Sequence, residues 1–316
     1  METRPVTNDL AFDSNGIPGG IWPILYAYFD TSNTLDRQAM RKQVESVVRA
    51  GAPGIAILGL ATEVHRLSER EKRNVIECAA SDIAGRAPLA VTLTGDTIEQ
   101  YVNLAAFACE QGATSFILQP PVAHGKPESF YLDFFIEAMR RIDAPCGIQN
   151  APDYLGVGLS PEALAILART CPNFVWLKCE GSASSVGETI NALRARDICM
   201  PVFNGRGGQE LIDNLRAGCA GMIVAPDTYD KQVQIFRLFR DHREREAATA
   251  YLDLLPVISF VMQSLDHLTC YGKRIAAWRM GMQVEHDRGP APDAVGLSRA
   301  RHHAGGLGRY DTTRLP

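Results

Sequence analysis

Lys178 and Glu180 stand where an apolar stretch ends, in the segment NFVWLKCEG of residues 173–181. A lysine buried without a partner is rare and costly, so this position needs an explanation. If the side chain faces the interior, apolar walls disfavour the ammonium form, and a neutral amine forms Schiff bases with carbonyl compounds. If it faces outward, Lys178 is an ordinary exposed residue at a strand end. Position alone leaves both interpretations open.

Three further polar side chains are candidates for the same chemistry. Glu180 shares the face of Lys178 if the strand continues, which makes it a candidate acid or base. Otherwise it supports the lysine or lies at a helix N-terminus. Gln149 and Asn150, in the segment IQNAP, either position a hydroxyl or a water, or satisfy backbone groups at a strand end. An amide does not titrate at neutral pH, so neither residue can be a general base.

Eight short apolar runs alternate with longer stretches of helical spacing. The runs lack polar alternation, as parallel strands covered on both faces do. They are GIWPILYAY (20–28), GIAILGL (54–60), PLAVTLTG (88–95), TSFILQPP (114–121), APCGIQNAP (144–152), NFVWLKCEG (173–181), MPVFNGRGG (200–208) and AGMIVAP (220–226). Eight such units favour a (β/α)8 TIM barrel, whose active site lies at the C-terminal ends of its strands. Lys178 closes the sixth run.

Helix signals lie between these runs and continue after the last one. Ser68 and Glu71 form a capping box, and Ser160 before Pro161 marks another helix start. Further helices are predicted over residues 35–51, 187–196 and 207–218, and residues 230–282 read as helices throughout. We therefore expect an N-terminal arm (1–19), a barrel (20–228), C-terminal helices (229–290) and a tail (291–316).

The tail is rich in Gly, Pro and Arg, which predicts a short helix followed by a mobile segment. His302 and His303 lie in this tail. On a polar segment of this kind, we expect both histidines to be solvated rather than to bind a metal.

The composition excludes several functional classes. The chain has 316 residues, a formal net charge of −4, and 46% hydrophobic residues. Interspersed charges predict neither a nucleic-acid-binding surface nor a membrane-binding face, and no apolar run is long enough to cross a bilayer. The eight cysteines include no C-x-x-C pair, so no zinc site or redox pair is indicated. Free cysteines and a polar N-terminus without a signal peptide lead us to expect a cytoplasmic protein.

Six motifs in order resemble the dihydrodipicolinate synthase/N-acetylneuraminate lyase superfamily, which consists of class I Schiff-base lyases on a (β/α)8 barrel. They are GIWPILYAYFDTSNTLD (20–36), GLATEVHRLSEREK (59–72), IQNAP (148–152), WLKCEGS (176–182), FNGRGGQELIDNLRAGCAGMI (203–223) and YGKRIAAWRMGM (271–282). The resemblance implies that Lys178 forms the Schiff base with a small 2-keto acid, and that no metal or organic cofactor takes part. It also implies a homotetramer, a dimer of dimers.

The site residues depart from those of the dihydrodipicolinate synthases. Their Tyr-Thr-Tyr proton relay is matched here by Gln149, Leu60 and Val122, and the arginine that holds their second carboxylate is matched by Tyr154. Condensation of aspartate semialdehyde is therefore poorly supported. The IQNAP and KCE segments instead resemble the sugar-acid dehydratase branch, which includes 2-keto-3-deoxy-L-arabonate dehydratase.

The resemblance also implies where the substrate binds. The C1 carboxylate would be held after the second strand by Gly59, Leu60, Ala61 and Thr62. Backbone N–H groups ahead of a helix suit an anion, and Thr62 adds a hydroxyl. Glu63 is implied to be structural. Gly205 allows close approach of the backbone to a ligand, and Arg206 either holds a distal polar group or is solvated at the loop tip.

These observations predict a dehydratase of a 2-keto-3-deoxy sugar acid that works through an imine at Lys178. One alternative is an aldolase that cleaves a 2-keto acid to pyruvate and an aldehyde, and a synthase-like condensation is another. A third alternative, from a different class, is a barrel without catalytic activity that binds keto acids as a sensor. The missing relay hydroxyls keep that alternative open.

Overall fold

Eight parallel strands form one sheet in a computed structural model that describes residues 16–122 and 125–310. The strands are β1 (Gly20–Pro23), β2 (Ile55–Ile57), β3 (Leu89–Leu93), β4 (Ser115–Leu118), β5 (Cys146–Asn150), β6 (Phe174–Cys179), β7 (Val202–Asn204) and β8 (Gly221–Val224). Strand β1 pairs with β8, and a parallel bridge between Ile24 and Ala56 brings it against β2. The predicted TIM barrel is therefore confirmed. Residues 1–15 of the predicted arm and 311–316 of the predicted tail lie outside the described residues.

The first strand is shorter than the apolar run that predicted it. Regular pairing ends at Pro23, although the run continues to Tyr28. The reason lies in Gln43, whose buried amide takes the place of a neighbouring strand at Tyr26. Its Oε1 accepts from the backbone N–H of Tyr26, and its Nε2 donates to the carbonyl of the same residue, both at 3.0 Å.

Three large aromatic rings fill the barrel below the site. Trp22 of β1, Trp176 of β6 and Phe203 of β7 are fully buried, with ring centroids 5.8 to 6.0 Å apart. Side chains alternate between the two faces of a strand, so Trp176 and Lys178 point to the same side of β6. The packed rings therefore place Lys178 directly above the core, at the C-terminal end of the barrel.

Helices cover the barrel in the order that the sequence predicts. They are α1 (Arg37–Arg49), α2 (Glu69–Ile83), α3 (Ile98–Gln111), α4 (Glu128–Arg140), α5 (Pro152–Leu155), α6 (Pro161–Thr170), α7 (Ala183–Arg194) and α8 (Leu211–Arg216). The capping box of α2 and the Ser160 cap of α6 are present.

Two helix boundaries differ from the prediction by more than two residues. Helix α7 begins earlier, because the Ser182 side chain accepts from the backbone N–H of Ser185 and caps it. Helix α8 begins later than residue 207. Positive φ angles of 62°, 89° and 55° at Gly207, Gly208 and Glu210 keep that segment out of the α-helix.

The predicted C-terminal helical extension follows β8. It consists of α9 (Tyr229–Arg240), α10 (Glu244–Val261), α11 (Leu265–His267), α12 (Lys273–Arg279) and α13 (Ala294–Leu307). None of the described helices alone has the length and hydropathy to cross a membrane. The segments 244–261 and 265–279 meet that criterion only together, across a 105° bend.

The prediction that both tail histidines are solvated is wrong for His303. Helix α13 turns His303 inward, where its ring lies 5.1 Å from that of Phe260 and is buried. His302 remains exposed on the other side of the helix. An amphipathic helix separates two consecutive residues onto different faces, which a composition argument could not resolve.

Buried ion pairs attach the extension to the barrel and hold its helices together. Lys273 of α12 contacts Glu63, in the loop after β2, and both side chains are almost completely buried. Glu63 also accepts from Arg66 at 2.8 Å, so it has the structural role implied by the resemblance. Arg279 of α12 forms a two-pronged pair with Asp230 of α9, at 2.6 and 2.8 Å. Such geometry makes a buried ion pair directional as well as attractive.

Asp227 is a buried carboxyl between β8 and α9 that accepts a hydrogen bond from the Tyr26 hydroxyl at 2.9 Å. Burial raises the pKa of Asp227 to about 6, against the opposing effects of Tyr26 and the Arg279 guanidinium. An unfolded aspartate has a pKa of about 3.9. The contribution of Asp227 to stability is therefore complete below about pH 4 and is lost as the pH rises through about 6.

Replacing Asp227 should remove this pH dependence. Asp227→Asn keeps an acceptor oxygen for Tyr26 but cannot ionise. We compare the free energies of unfolding of the variant and the wild type. From about pH 4 to pH 7, their difference should change by about 2–3 kcal/mol in favour of Asp227→Asn. Urea unfolding across that range measures the difference, with the exposed Asp143→Asn as the control. Parallel pH curves for the wild type and Asp227→Asn would contradict the assignment.

Candidate active site

Lys178 faces the inside of the barrel mouth. Its side chain is 5% exposed, and its Nζ lies 3.3 Å from Oε2 of Glu180. The inward orientation that the sequence left open is thus the observed one. The surroundings differ from the purely apolar walls that were expected, because a carboxylate of similar burial stands next to the amine.

Glu180 is held from a second side by a chain of amides. Nε2 of Gln149, at the end of β5, donates to Oε2 of Glu180 at 2.5 Å. Oε1 of Gln149 accepts from Nε2 of Gln119 at 2.7 Å. The structure therefore brings Lys178, Glu180 and Gln149 together, as the sequence predicted. The sequence did not identify Gln119 as a site residue, although it closes the fourth apolar run as Lys178 closes the sixth.

Asn150 lies beside this cluster but directs its amide elsewhere. Its Oδ1 accepts from the backbone N–H of Leu159 at 2.7 Å, and its Nδ2 donates to the carbonyl of Leu159 at 3.0 Å. Both polar groups therefore hold the loop that follows β5. This is the backbone role that the sequence left open as the alternative to substrate binding.

The loop after β2 lies opposite Lys178. Residues Leu60–Thr62 form one turn of 3-10 helix, and Leu60 and Ala61 line the cavity. Gly59 packs against Ile24, with no room for a side chain. The Thr62 hydroxyl donates to the carbonyl of Leu25 at 2.6 Å and is fully buried. Thr62 thus uses its hydroxyl proton within the fold, and the backbone of Leu60 and Ala61 remains next to the cavity.

The glycine-rich loop after β7 is shaped around its neighbours. A Cβ on Gly205 would lie 2.0 Å from Oε1 of Glu180, and one on Gly207 would lie 2.5 Å from Sδ of Met262. The carbonyl of Gly207 accepts from Gln232 Nε2 at 2.9 Å. A Cβ at either position would therefore displace the side chain of Glu180 or Met262, and the loop brings Arg206 to the cavity.

Arg206 is not a solvated residue at a loop tip. Its side chain is 23% exposed, pairs with Glu210 at 3.1 Å, and lines the cavity beside Tyr154. Burial raises the pKa of the Tyr154 phenol, and the hydrogen bond with Arg206 opposes this shift only in part. Tyr154 therefore stays protonated at neutral pH. The sequence identified Tyr154 only as a departure from the synthases.

The cavity is lined by both polar and apolar residues. Its polar residues are Lys178, Glu180, Tyr154 and Arg206, and its apolar residues are Ile24, Leu60, Ala61, Ile223, Val224, Ala225, Met262, Leu265 and Leu268. The last three belong to the C-terminal extension and form a roof over the amine. The free space beneath this roof is about 40 Å³, enough for only a few water molecules.

Comparison with known proteins assigns the chain to a family. The sequence profile of the dihydrodipicolinate synthetase family matches residues 17–294. The chain belongs to this family. Within the described residues, no group of three or more His, Cys, Asp and Glu side chains has the arrangement of a metal site.

Two relatives in this family are named as enzymes of 2-keto-3-deoxy sugar acids, in line with the resemblance. L-2-keto-3-deoxyarabonate dehydratase of Azospirillum brasilense is 26% identical over 282 residues, 87% of this chain and 89% of that protein. "Probable 2-dehydro-3-deoxy-D-pentonate aldolase YjhH" of Escherichia coli K12 is 26% identical over 234 residues, 73% of this chain and 76% of that protein. The crystal structure of YagE from E. coli K12 has the same fold, with a TM-score of 0.84 at 20% identity over 92% of this chain and 98% of that one.

Gly205 offers a steric test of the site geometry. Gly205→Ala places a Cβ against the carboxylate of Glu180. We expect this variant to displace the carboxylate and to lose about 1–3 kcal/mol of stability. Denaturant unfolding and a crystal structure measure the two effects. Gly306→Ala, in helix α13 with open space around it, is the control. An undisplaced Glu180 in Gly205→Ala would refute the packing described here.

Proposed function

We propose that this protein is a lyase that forms a Schiff base between Lys178 and a 2-keto-3-deoxy sugar acid and then removes water. The observation that carries the proposal is the buried contact of Lys178 with Glu180 in the barrel mouth, at 3.3 Å. The similarity to L-2-keto-3-deoxyarabonate dehydratase over most of both chains supports the substrate class.

The first steps use Lys178 and Glu180. The amine attacks the C2 ketone, water leaves, and the resulting iminium makes the C3 protons acidic. Glu180 accepts one of these protons, and the electrons of the C–H bond form the enamine. A base within hydrogen-bond reach of the imine is what this step requires. Gln149 holds the carboxylate but takes no proton, because its amide does not titrate.

The next step distinguishes dehydration from aldol cleavage. Dehydration needs a proton donor at the C4 hydroxyl, which then leaves as water, whereas cleavage of C3–C4 needs a base at that hydroxyl. Tyr154 lines the cavity and keeps its phenol proton at neutral pH, so it is the candidate for this donor. Hydrolysis of the imine then releases the dehydrated keto acid and restores Lys178.

The loop after β2 supplies the group that holds the C1 carboxylate. Among the described residues, the N–H groups of Leu60 and Ala61 have no hydrogen-bond acceptor, and both residues line the cavity. Two backbone donors opposite the amine suit an anion. This chemistry needs no metal or organic cofactor. We further propose that the protein acts in the cytoplasm as a homotetramer.

An aldolase of the same substrates is the second candidate. Its support is the similarity to YjhH, which is named as a pentonate aldolase and is as similar in identity as the dehydratase. The two reactions share the imine and the enamine, so the reaction products distinguish them.

A panel of 2-keto-3-deoxy pentonates and hexonates tests the proposed function. We expect one pentonate or hexonate to be converted to its dehydrated keto acid without release of pyruvate. Lys178→Arg should abolish this turnover, because a guanidinium cannot form the imine. Borohydride with pyruvate should add covalent mass to the wild type but not to Lys178→Arg, with the exposed Lys126→Arg as the control. Release of pyruvate from the panel would identify an aldolase instead, and the absence of any adduct would exclude the Schiff base.

Tyr154→Phe tests the donor role of the phenol. We expect kcat for dehydration to fall about tenfold to a thousandfold, because a general acid typically contributes that much. Imine trapping by borohydride should remain, since the trapped imine precedes this step. Equal loss of trapping and turnover would mean that Tyr154 shapes the cavity rather than donates a proton.

A further inference from the structure

We propose that Gln119 is a positioning residue that holds the Gln149 amide in the orientation in which it donates to Glu180. This inference rests on the proposed function, because Glu180 is the base of that reaction and Gln119 holds it in place through Gln149. Gln119 and Gln149 are both buried and joined at 2.7 Å. Gln119 acts by holding the Gln149 amide, and this role requires no contact with the substrate.

The direction of the hydrogen bonds follows from the chemistry of the carboxylate. An ionised carboxylate only accepts, so Gln149 must present Nε2 to Glu180. Its Oε1 then points to the other side and needs a donor. Gln119 supplies that donor through Nε2, and the two bonds of 2.7 and 2.5 Å are consecutive. Each amide therefore fixes the orientation of the next.

Gln119 is itself anchored through its backbone. Its N–H donates to the carbonyl of Leu93 on β3 at 3.1 Å, and its carbonyl accepts from the Tyr101 hydroxyl of α3 at 2.7 Å. Tyr101 is fully buried against Phe134 of α4, with ring centroids 5.1 Å apart. The start of the amide chain is thus fixed to the barrel wall.

Loss of Gln119 would affect the carboxylate of Glu180, which receives the C3 proton in the proposed reaction. Oε2 of Glu180 faces two donors, Gln149 Nε2 and Lys178 Nζ. Without Gln119, Gln149 can turn and direct Oε1 at the carboxylate, and two partial negative charges then repel each other. Glu180 would leave the position from which it removes the proton, while Lys178 would still form the imine.

Exchange of the methyl protons of pyruvate for deuterium isolates this step. In D2O, the imine of pyruvate loses a C3 proton to Glu180 and the enamine regains a deuteron, which NMR follows without knowledge of the natural substrate. We expect Gln119→Leu to slow the exchange about tenfold to a hundredfold, because Gln149 then loses its hydrogen bond to the carboxylate of Glu180. Borohydride trapping with pyruvate should stay at the wild-type level. The amount trapped also measures the fraction of protein molecules whose site is folded.

A double-mutant cycle with Gln149→Leu tests the dependence of one residue on the other. If Gln119 acts only through Gln149, adding Gln119→Leu to Gln149→Leu changes the exchange rate no further. Gln119→Glu should slow exchange more than Gln119→Leu, because its carboxylate draws Nε2 of Gln149 away from Glu180. Gln43→Leu removes another buried glutamine and should lower stability while leaving the exchange rate per folded site unchanged.

The outcomes separate the two proposals. Losses that multiply in the double variant, or wild-type exchange in Gln119→Leu, would overturn the role of Gln119 while leaving the proposed function intact. Absence of exchange and of borohydride trapping in the wild-type protein would overturn the Schiff-base function, and the positioning role with it. A Gln119→Leu variant that lost trapping in proportion to exchange would also contradict the role, because it would show a general loss of the site.

Discussion

The contact between Lys178 and Glu180 is the constraint on which the barrel mouth depends. Each group would be costly to bury alone, and loss of one partner of a buried pair typically costs about 3–5 kcal/mol. The surrounding sequence fits this pair closely. Gly205 leaves room for the carboxylate, and Gln149 donates to the same carboxylate oxygen that faces Lys178. Strands β4 to β7 each contribute one part of the arrangement, so the pair connects half of the barrel at its C-terminal end.

The barrel alone does not complete the site. Met262, Leu265 and Leu268 come from the helices after β8, and they make the apolar roof over the amine. Buried ion pairs of α12 hold those helices in place, and one of them reaches Glu63, directly after the loop proposed to bind the C1 carboxylate. The same contacts that stabilise the extension therefore determine the distance between the roof and that loop.

Local signals in the sequence predicted most of the fold, because strands, caps and the glycine-rich loop each depend on neighbouring residues. The capping box of Ser68 and the N-cap of Ser160 are of this kind. What could not be predicted depends on contacts between distant segments. Gln119 stands thirty positions from Gln149, and only the pairing of β4 with β5 brings the two amides together. The early end of β1 has the same origin, since Gln43 of α1 replaces a strand neighbour.

The roof over Lys178 is also the last part of the cavity lining to be synthesised. The barrel strands end at Val224, whereas Met262 and its neighbours follow in a separate helical segment. During synthesis the N-terminal parts of a chain emerge and begin to fold first. The residues of the roof are therefore made after all eight strands of the barrel, and the cavity beside Lys178 has its full lining only once these helices have docked.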